Sequence, residues 1–123
     1  MKKMALVLVI ILIAGTVFAQ QEDLSEYEKT VFLPAYEDLM KNVIEMHNFA
    51  QSDELFKADN QYLYDLISRV DTSFRRYSLI DPSQMENLEL RKAYNDLLIQ
   101  LRPAIEAYKL AMNAVILNNT MTR

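Results

Sequence analysis

The sequence predicts an all-α fold, a small up-down-up helical bundle. Helix breakers are rare, with one Gly and three Pro in 123 residues. Leu, Met, Ala, Glu and Gln, which favour helices, are common. Apolar residues recur at the helical period along three stretches. The connections between those stretches are short, which makes neighbouring helices antiparallel. Three helices are expected, or four if Pro34 or Pro103 breaks the helix that contains it.

Residues 1–19 stand apart from that fold. Met1-Lys2-Lys3 is a positive start, and the run from Met4 to Ile13 is almost unbroken Leu, Val and Ile. Val17-Phe18-Ala19 supplies a cleavage site, so the segment is predicted to be a signal peptide removed after Ala19. Its apolar run is shorter than the ~20 residues of a spanning helix, which argues against a retained membrane anchor. The chain has no Cys to carry a lipid behind the leader. The start resembles bacterial export signals, so residues 20–123 are expected as one helical domain in the periplasm or released.

The first helix is predicted over residues 26–50. Ser25 and Glu28 have the spacing of a capping box, in which each side chain satisfies the other's backbone N–H. Pro34 should kink or break this helix after about two turns. Beyond it, Tyr36, Leu39, Met40, Val43, Met46, His47 and Ala50 share one face.

Gln51-Ser52-Asp53-Glu54 reads as a turn, with Ser52 as a possible cap for the second helix. The apolar set there is Phe56, Leu63, Leu66, Ile67, Val70, Phe74 and Tyr77. Asp59 and Asn60 interrupt that stripe, so a later start near Asp59 is the alternative. Arg69, Arg75 and Arg76 lie toward the C-terminal end, where the helix dipole favours cations.

The third helix is predicted over residues 82–117 and dominates the chain. Asp81 suits an N-cap and Pro82 the first helical position. Glu86 and Glu89 then fall in the opening turns. Tyr94, Leu101, Tyr108 and Val115 are seven apart, as are Leu97, Ala104 and Ala111, and Leu98, Ile105 and Met112. Together they form the broad stripe that a bundle helix buries. The apolar phase is the same on both sides of Pro103, so a kink is expected there rather than a break.

Such a helix is about 55 Å long, against about 38 Å for each of the other two. Its last turns should overhang the connection between the first and second helices. Tyr108, Leu110, Ala111, Met112, Ala114, Val115, Ile116 and Leu117 make those turns apolar on nearly every side. A contact surface including Tyr108, Met112, Val115 and Ile116 is therefore expected, most simply in a homodimer with two-fold symmetry. The alternative is that residues 48–60 fold back and cover the overhang.

The charge pattern excludes some partners. Loss of Lys2 and Lys3 with the leader leaves 11 basic against 17 acidic residues, a net charge of −6. Residues 20–65 carry a net −8 and residues 66–123 a net +2. No basic stripe for nucleic acid results. The asymmetry is what an acidic helix beside a more basic one would give.

Chemistry-bearing patterns are sparse. His47 is the single histidine, which leaves no His-rich metal site. On an apolar helix face it is expected to be a core histidine with satisfied ring nitrogens. The sharper alternative is a small-ligand or haem-binding bundle, with His47 and one of Met40, Met85 or Met112 as axial ligands. The carboxylates lack the repeated Glu-x-x-His of di-iron bundles. Gly15 lies in the leader, so a Gly-rich phosphate loop is excluded. No nucleophile has a base near it in sequence. The seven Tyr and the five Met beyond the leader suit either a short core or an adaptable contact face. The expectation is a non-enzymatic protein without cofactor or metal, which binds a protein partner or a second copy of itself. It should not bind nucleic acid or keep a stable membrane anchor once the leader is removed.

Overall fold

A computed structural model describes residues 24–121, which form three α-helices and no strand. The leader and its cleavage site lie outside the described residues. Helix α1 is Leu33–Ala50, α2 is Asn60–Ser78 and α3 is Leu88–Met121. A π-helical turn, Glu28–Phe32, leads into α1. Short 3-10 turns, Asp53–Lys57 and Pro82–Gln84, lie in the two connections.

Side-chain pairs fix the directions. Along α1 and α2, Arg69 meets Glu45, Asn42 meets Ser73, and Tyr36 lies beside Tyr77, so the two helices are antiparallel. Along α2 and α3, Tyr94 bonds the Ser78 carbonyl, Lys109 meets Asp71, and Asn119 meets Asn60, again antiparallel. Glu28 reaches Asn87 and His47 reaches Tyr108, so the first and third helices run parallel. This is the expected up-down-up bundle. Its core runs along α3 through Leu90, Tyr94, Leu97, Leu101, Ile105, Tyr108 and Met112, all buried.

Pro34 and Pro103 are accommodated differently, and helical backbone continues past both. A regular α-helix would set the Pro34 ring against the Thr30 carbonyl. The π turn sits immediately ahead of Pro34, with the Leu33 N–H bonded to the Glu28 carbonyl five residues back. That wider turn is the local distortion through which the helix passes the proline. Helix α3 continues unbroken through Pro103. Pro103 and Ile99 are both exposed, so the carbonyl freed at Ile99 is on the side open to water.

The capping box forms as expected. The Ser25 N–H donates to Glu28 Oε1 at 2.8 Å and the Glu28 N–H to Ser25 Oγ at 3.3 Å. The structure adds a tie the spacing did not suggest: Glu28 Oε2 accepts the Asn87 N–H at 2.8 Å. Burial pushes the Glu28 pKa up, but hydrogen bonds from Asn87, Ser25 and Glu86 together hold it below its ordinary value.

Other expectations are corrected. Asp81 caps only the short 3-10 turn, accepting from the Ser83 N–H. Helix α3 starts at Leu88 instead of residue 82, with Asn87 Oδ1 accepting from the Glu89 and Leu90 N–H groups. The connection before it is drawn inward, because Ile80 and Met85 are buried. Ser52 precedes a 3-10 turn without capping it, and its hydroxyl donates to the Phe49 carbonyl. Helix α2 follows the alternative start, with Asp59 accepting the Tyr62 N–H. Phe56 does not join the α2 stripe. It is exposed, and its neighbour Leu55 is buried. Successive side chains of a 3-10 turn point about 120° apart, so placing Leu55 inward turns Phe56 out.

Candidate functional site

Three groupings of side chains were candidates for function, and all three are spent on holding the bundle together. The first joins α1 to α2. Arg69 makes a two-pronged pair with Glu45, Nη2 to Oε2 at 2.6 Å and Nη1 to Oε1 at 3.1 Å, and Nε reaches Asp65 at 3.0 Å. Asn42 accepts from Arg69 and donates to Ser73, whose hydroxyl donates to the Arg69 carbonyl. Tyr62 adds its hydroxyl to Glu45 at 3.3 Å. The hydrogen bonds from Arg69 hold the Glu45 pKa below the usual carboxylate range, and the pairing raises that of Arg69. Donors and acceptors match one another here, so the cluster fixes the register of α1 against α2.

The second is His47 with Tyr108. His47 Nδ1 and the Tyr108 hydroxyl lie 2.5 Å apart, and the rings meet edge to face at 5.5 Å between centroids. Both residues are buried, and burial raises the Tyr108 pKa. His47 thus ties α1 to α3 from inside the core. Haem ligation would have to use the other nitrogen, Nε2, since a metal-bound histidine commonly gives one ring nitrogen to a second partner, as His47 gives Nδ1 to Tyr108. Met40, Met85 and Met112 are core residues. Among the described residues, no three His, Asp or Glu side chains converge as a metal ion would need.

The third grouping lies on α3. The residues expected at a contact surface are buried within the chain itself: Tyr108 is 2 % exposed, Met112 0 %, Val115 7 % and Ile116 7 %. The expected overhang does not arise, because α3 starts later and is shifted along α2. Asn119 Nδ2 donates to the Ala58 carbonyl and to Asn60 Oδ1, which brings the end of α3 level with the start of α2. The turn Asp53–Lys57 lies over this end, and its Leu55 shares a cleft with Ala111 and Val115.

The opposite face of α3 is apolar too. Pro103, Leu110 and Leu117 are seven apart, and so are Ala107, Ala114 and Met121. All six are exposed, Leu110 at 73 %, Leu117 at 60 % and Met121 at 76 %. At 3.6 residues per turn they form one seam down the outer side of the helix. A cleft of about 370 Å³ opens beside it, lined by Leu55, Phe56, Ala111, Ala114, Val115 and Asn118. Lys109 is the sole charged residue between Ala107 and Met121, and Asp71 holds it at 3.1 Å.

The sequence carried a signal for this seam, since both heptad sets are written in it. A second apolar stripe is hard to tell from a broad first one until the helix is placed, because the buried stripe already covers much of the circumference. Such a surface offers shape and apolar area, and no acid, base or nucleophile. Among the described residues, no helix is long and apolar enough to cross a membrane. Compared with protein-family models, with curated proteins and with solved structures, the chain matches none of them, so the role of this surface follows from its own chemistry.

Proposed function

We propose that this protein is an exported binding module, without catalytic activity, that contacts another protein through the outer face of α3. The observation that carries the reading is the exposed seam of Pro103, Ala107, Leu110, Ala114, Leu117 and Met121. Contiguous apolar surface of this extent is costly in water and marks contact sites in soluble proteins. Its seven-residue spacing suits a partner helix better than an irregular surface. The export part of the reading rests on the leader, residues 1–19, and its cleavage site after Ala19.

The cleft beside Phe56 supports a second reading, in which a small apolar ligand is bound. At about 370 Å³ it falls in the size range of ligand pockets. It adjoins the seam through Ala114, so a protein partner could equally fill it.

The test is site-specific photocrosslinking in the exporting cell. A photoreactive residue at Leu110 or Leu117 should give discrete protein adducts, and one at the exposed Glu37 on α1 should not. Equal labelling at all three positions, or none at Leu110 and Leu117, would remove the outer face of α3 as a contact site.

A further inference from the structure

We propose that the partner of this seam is a second copy of the same chain, with the two α3 helices antiparallel about a two-fold axis near Met112. The inference rests on the reading that the outer face of α3 is a protein contact face, and it names the occupant.

The seam is complementary to itself in one register. Its residues alternate large and small: Ala107, Leu110, Ala114, Leu117. Antiparallel helices pack in layers that pair one heptad position with the other across the interface. With the axis near residue 112, Leu110 of one copy faces Ala114 of the other, and Leu117 faces Ala107. Pro103 then faces Met121. Each large side chain meets a small one, and every layer occurs twice by symmetry. A parallel pair would set Leu110 on Leu110 and Ala114 on Ala114, leaving layers alternately crowded and empty.

Charge points the same way. A two-fold contact puts the residues next to the axis beside their own images, so a charge there would meet its like. Here Lys109 is the one charge from Ala107 to Met121, and it is paired with Asp71 and Glu106 on the flank. A lipid surface fits less well, because interfacial helices flank their apolar face with Lys and Arg. Between residues 103 and 121 the single cation is Lys109, and its charge is already paired with Asp71.

The area is sufficient for a modest dimer. Burying one large apolar side chain removes about 60–120 Å² from water. Three large and three small seam residues with Phe56 then come to on the order of 600 Å² per copy. The total of about 1,200 Å² is the lower end of stable interfaces, so association should depend on concentration.

The chain has no cysteine, so single-Cys variants report one position each. Asn113 is exposed and flanks the axis, one residue from its centre. Lys92 is exposed on the same line of α3, about 31 Å toward the N-terminus. Protein secreted from the full-length gene is studied by light scattering from low to high micromolar concentration, and by oxidation of Asn113→Cys and Lys92→Cys. A rise to twice the monomer mass is expected, with Asn113→Cys forming a disulfide-linked dimer and Lys92→Cys not. Leu110→Glu with Leu117→Glu should give a monomer whose helical circular dichroism is unchanged. A wild-type monomer at all concentrations, equal cross-linking at both cysteines, or a dimer that survives the double substitution overturns the proposal. Sedimentation with neutral phospholipid vesicles that the double substitution abolishes would overturn it in favour of a membrane surface. A monomer whose photocrosslinkers at Leu110 and Leu117 capture a different protein loses the second copy but keeps the contact face. A monomer with no protein adducts loses both.

Discussion

Tyr36 and Tyr77 show how this core treats polar groups. Both are almost fully buried, and neither hydroxyl has a hydrogen-bond partner. Tyr36 stacks on Phe32, and Tyr77 lies tilted 6.0 Å from Phe32 and 4.9 Å from Tyr94 between ring centroids. Burial pushes the Tyr36 pKa up to about 12 and raises that of Tyr77 further. An unpaired buried hydroxyl costs about 1–3 kcal/mol, while the ring around it contributes by packing. Replacing either with Phe keeps the ring and removes the unpaired group. Tyr77→Phe is therefore expected to leave stability unchanged or raise it by about 1 kcal/mol. Urea unfolding checks this, and a loss above that amount would mean the hydroxyl is satisfied by a group such as a buried water. Tyr108 is the contrasting case, because its hydroxyl meets His47. Tyr108→Phe should cost about 1–2 kcal/mol, the worth of a buried hydrogen bond with one partner removed.

The helices themselves were the most legible part of the sequence. Most buried residues of α3 belong to its predicted stripe, with Leu90 and Ile116 added and Leu98, Ala104 and Ala111 only half-buried, and the capping box at Ser25 forms with the expected partners. What misled was the start of α3. Asp81-Pro82 is as good a helix start as Asn87-Leu88 by local chemistry, and it does start a turn. The decision between them is tertiary: the Asn87 N–H is taken by Glu28, 59 residues away, and Met85 is buried in the core. No local rule contains that contact. The same shift removed the expected overhang, and with it the exposure of Tyr108, Met112, Val115 and Ile116. Continuity at Pro103 was legible because phase was preserved across it. It leads to a prediction: Ala at this exposed site can restore the bond to the Ile99 carbonyl and relieve the clash. Pro103→Ala should stabilise the protein by about 1–2 kcal/mol, part of the ~3 kcal/mol a helix-interior proline costs. The rest is offset because proline also restricts the unfolded chain. Destabilisation in urea would show that the packing of α3 depends on the proline at this position. The dimer contact should survive this change, since Pro103 lies in its outermost layer.

At the scale of the whole molecule, α3 is held at both ends and in the middle. Glu28 clamps its beginning through Asn87, His47 engages Tyr108 midway, and Asn60 and Ala58 hold Asn119 near its end. The first of these clamps is a carboxylate, and it makes the fold sensitive to acid. Glu28 is buried, its pKa lies below its ordinary value, and its two oxygens accept from two different segments. A group whose folded pKa is depressed binds protons more readily in the unfolded state. Its contribution is thus fully present above the unfolded pKa, near 4.5, and is lost as pH falls through the lower folded value. Glu45 has the same sign, but it and Arg69 are each about a third exposed, so solvent screens the pair and its share is smaller. Stability measured in urea should therefore be flat from neutral pH to about 5 and fall below 4.5. Glu28→Gln separates the clamp from the general titration of surface carboxylates. It keeps the size of the side chain but sets an amide N–H₂ against the N–H of Ser25 or Asn87. At pH 7 it should cost about 1–3 kcal/mol, the penalty of a buried unmatched donor. As pH falls below 4.5 the contribution of the wild-type carboxylate is progressively lost, so the gap between the two proteins should narrow. A gap of constant size from pH 7 to pH 3 would mean that the charge of Glu28 is not what holds the start of α3 in place.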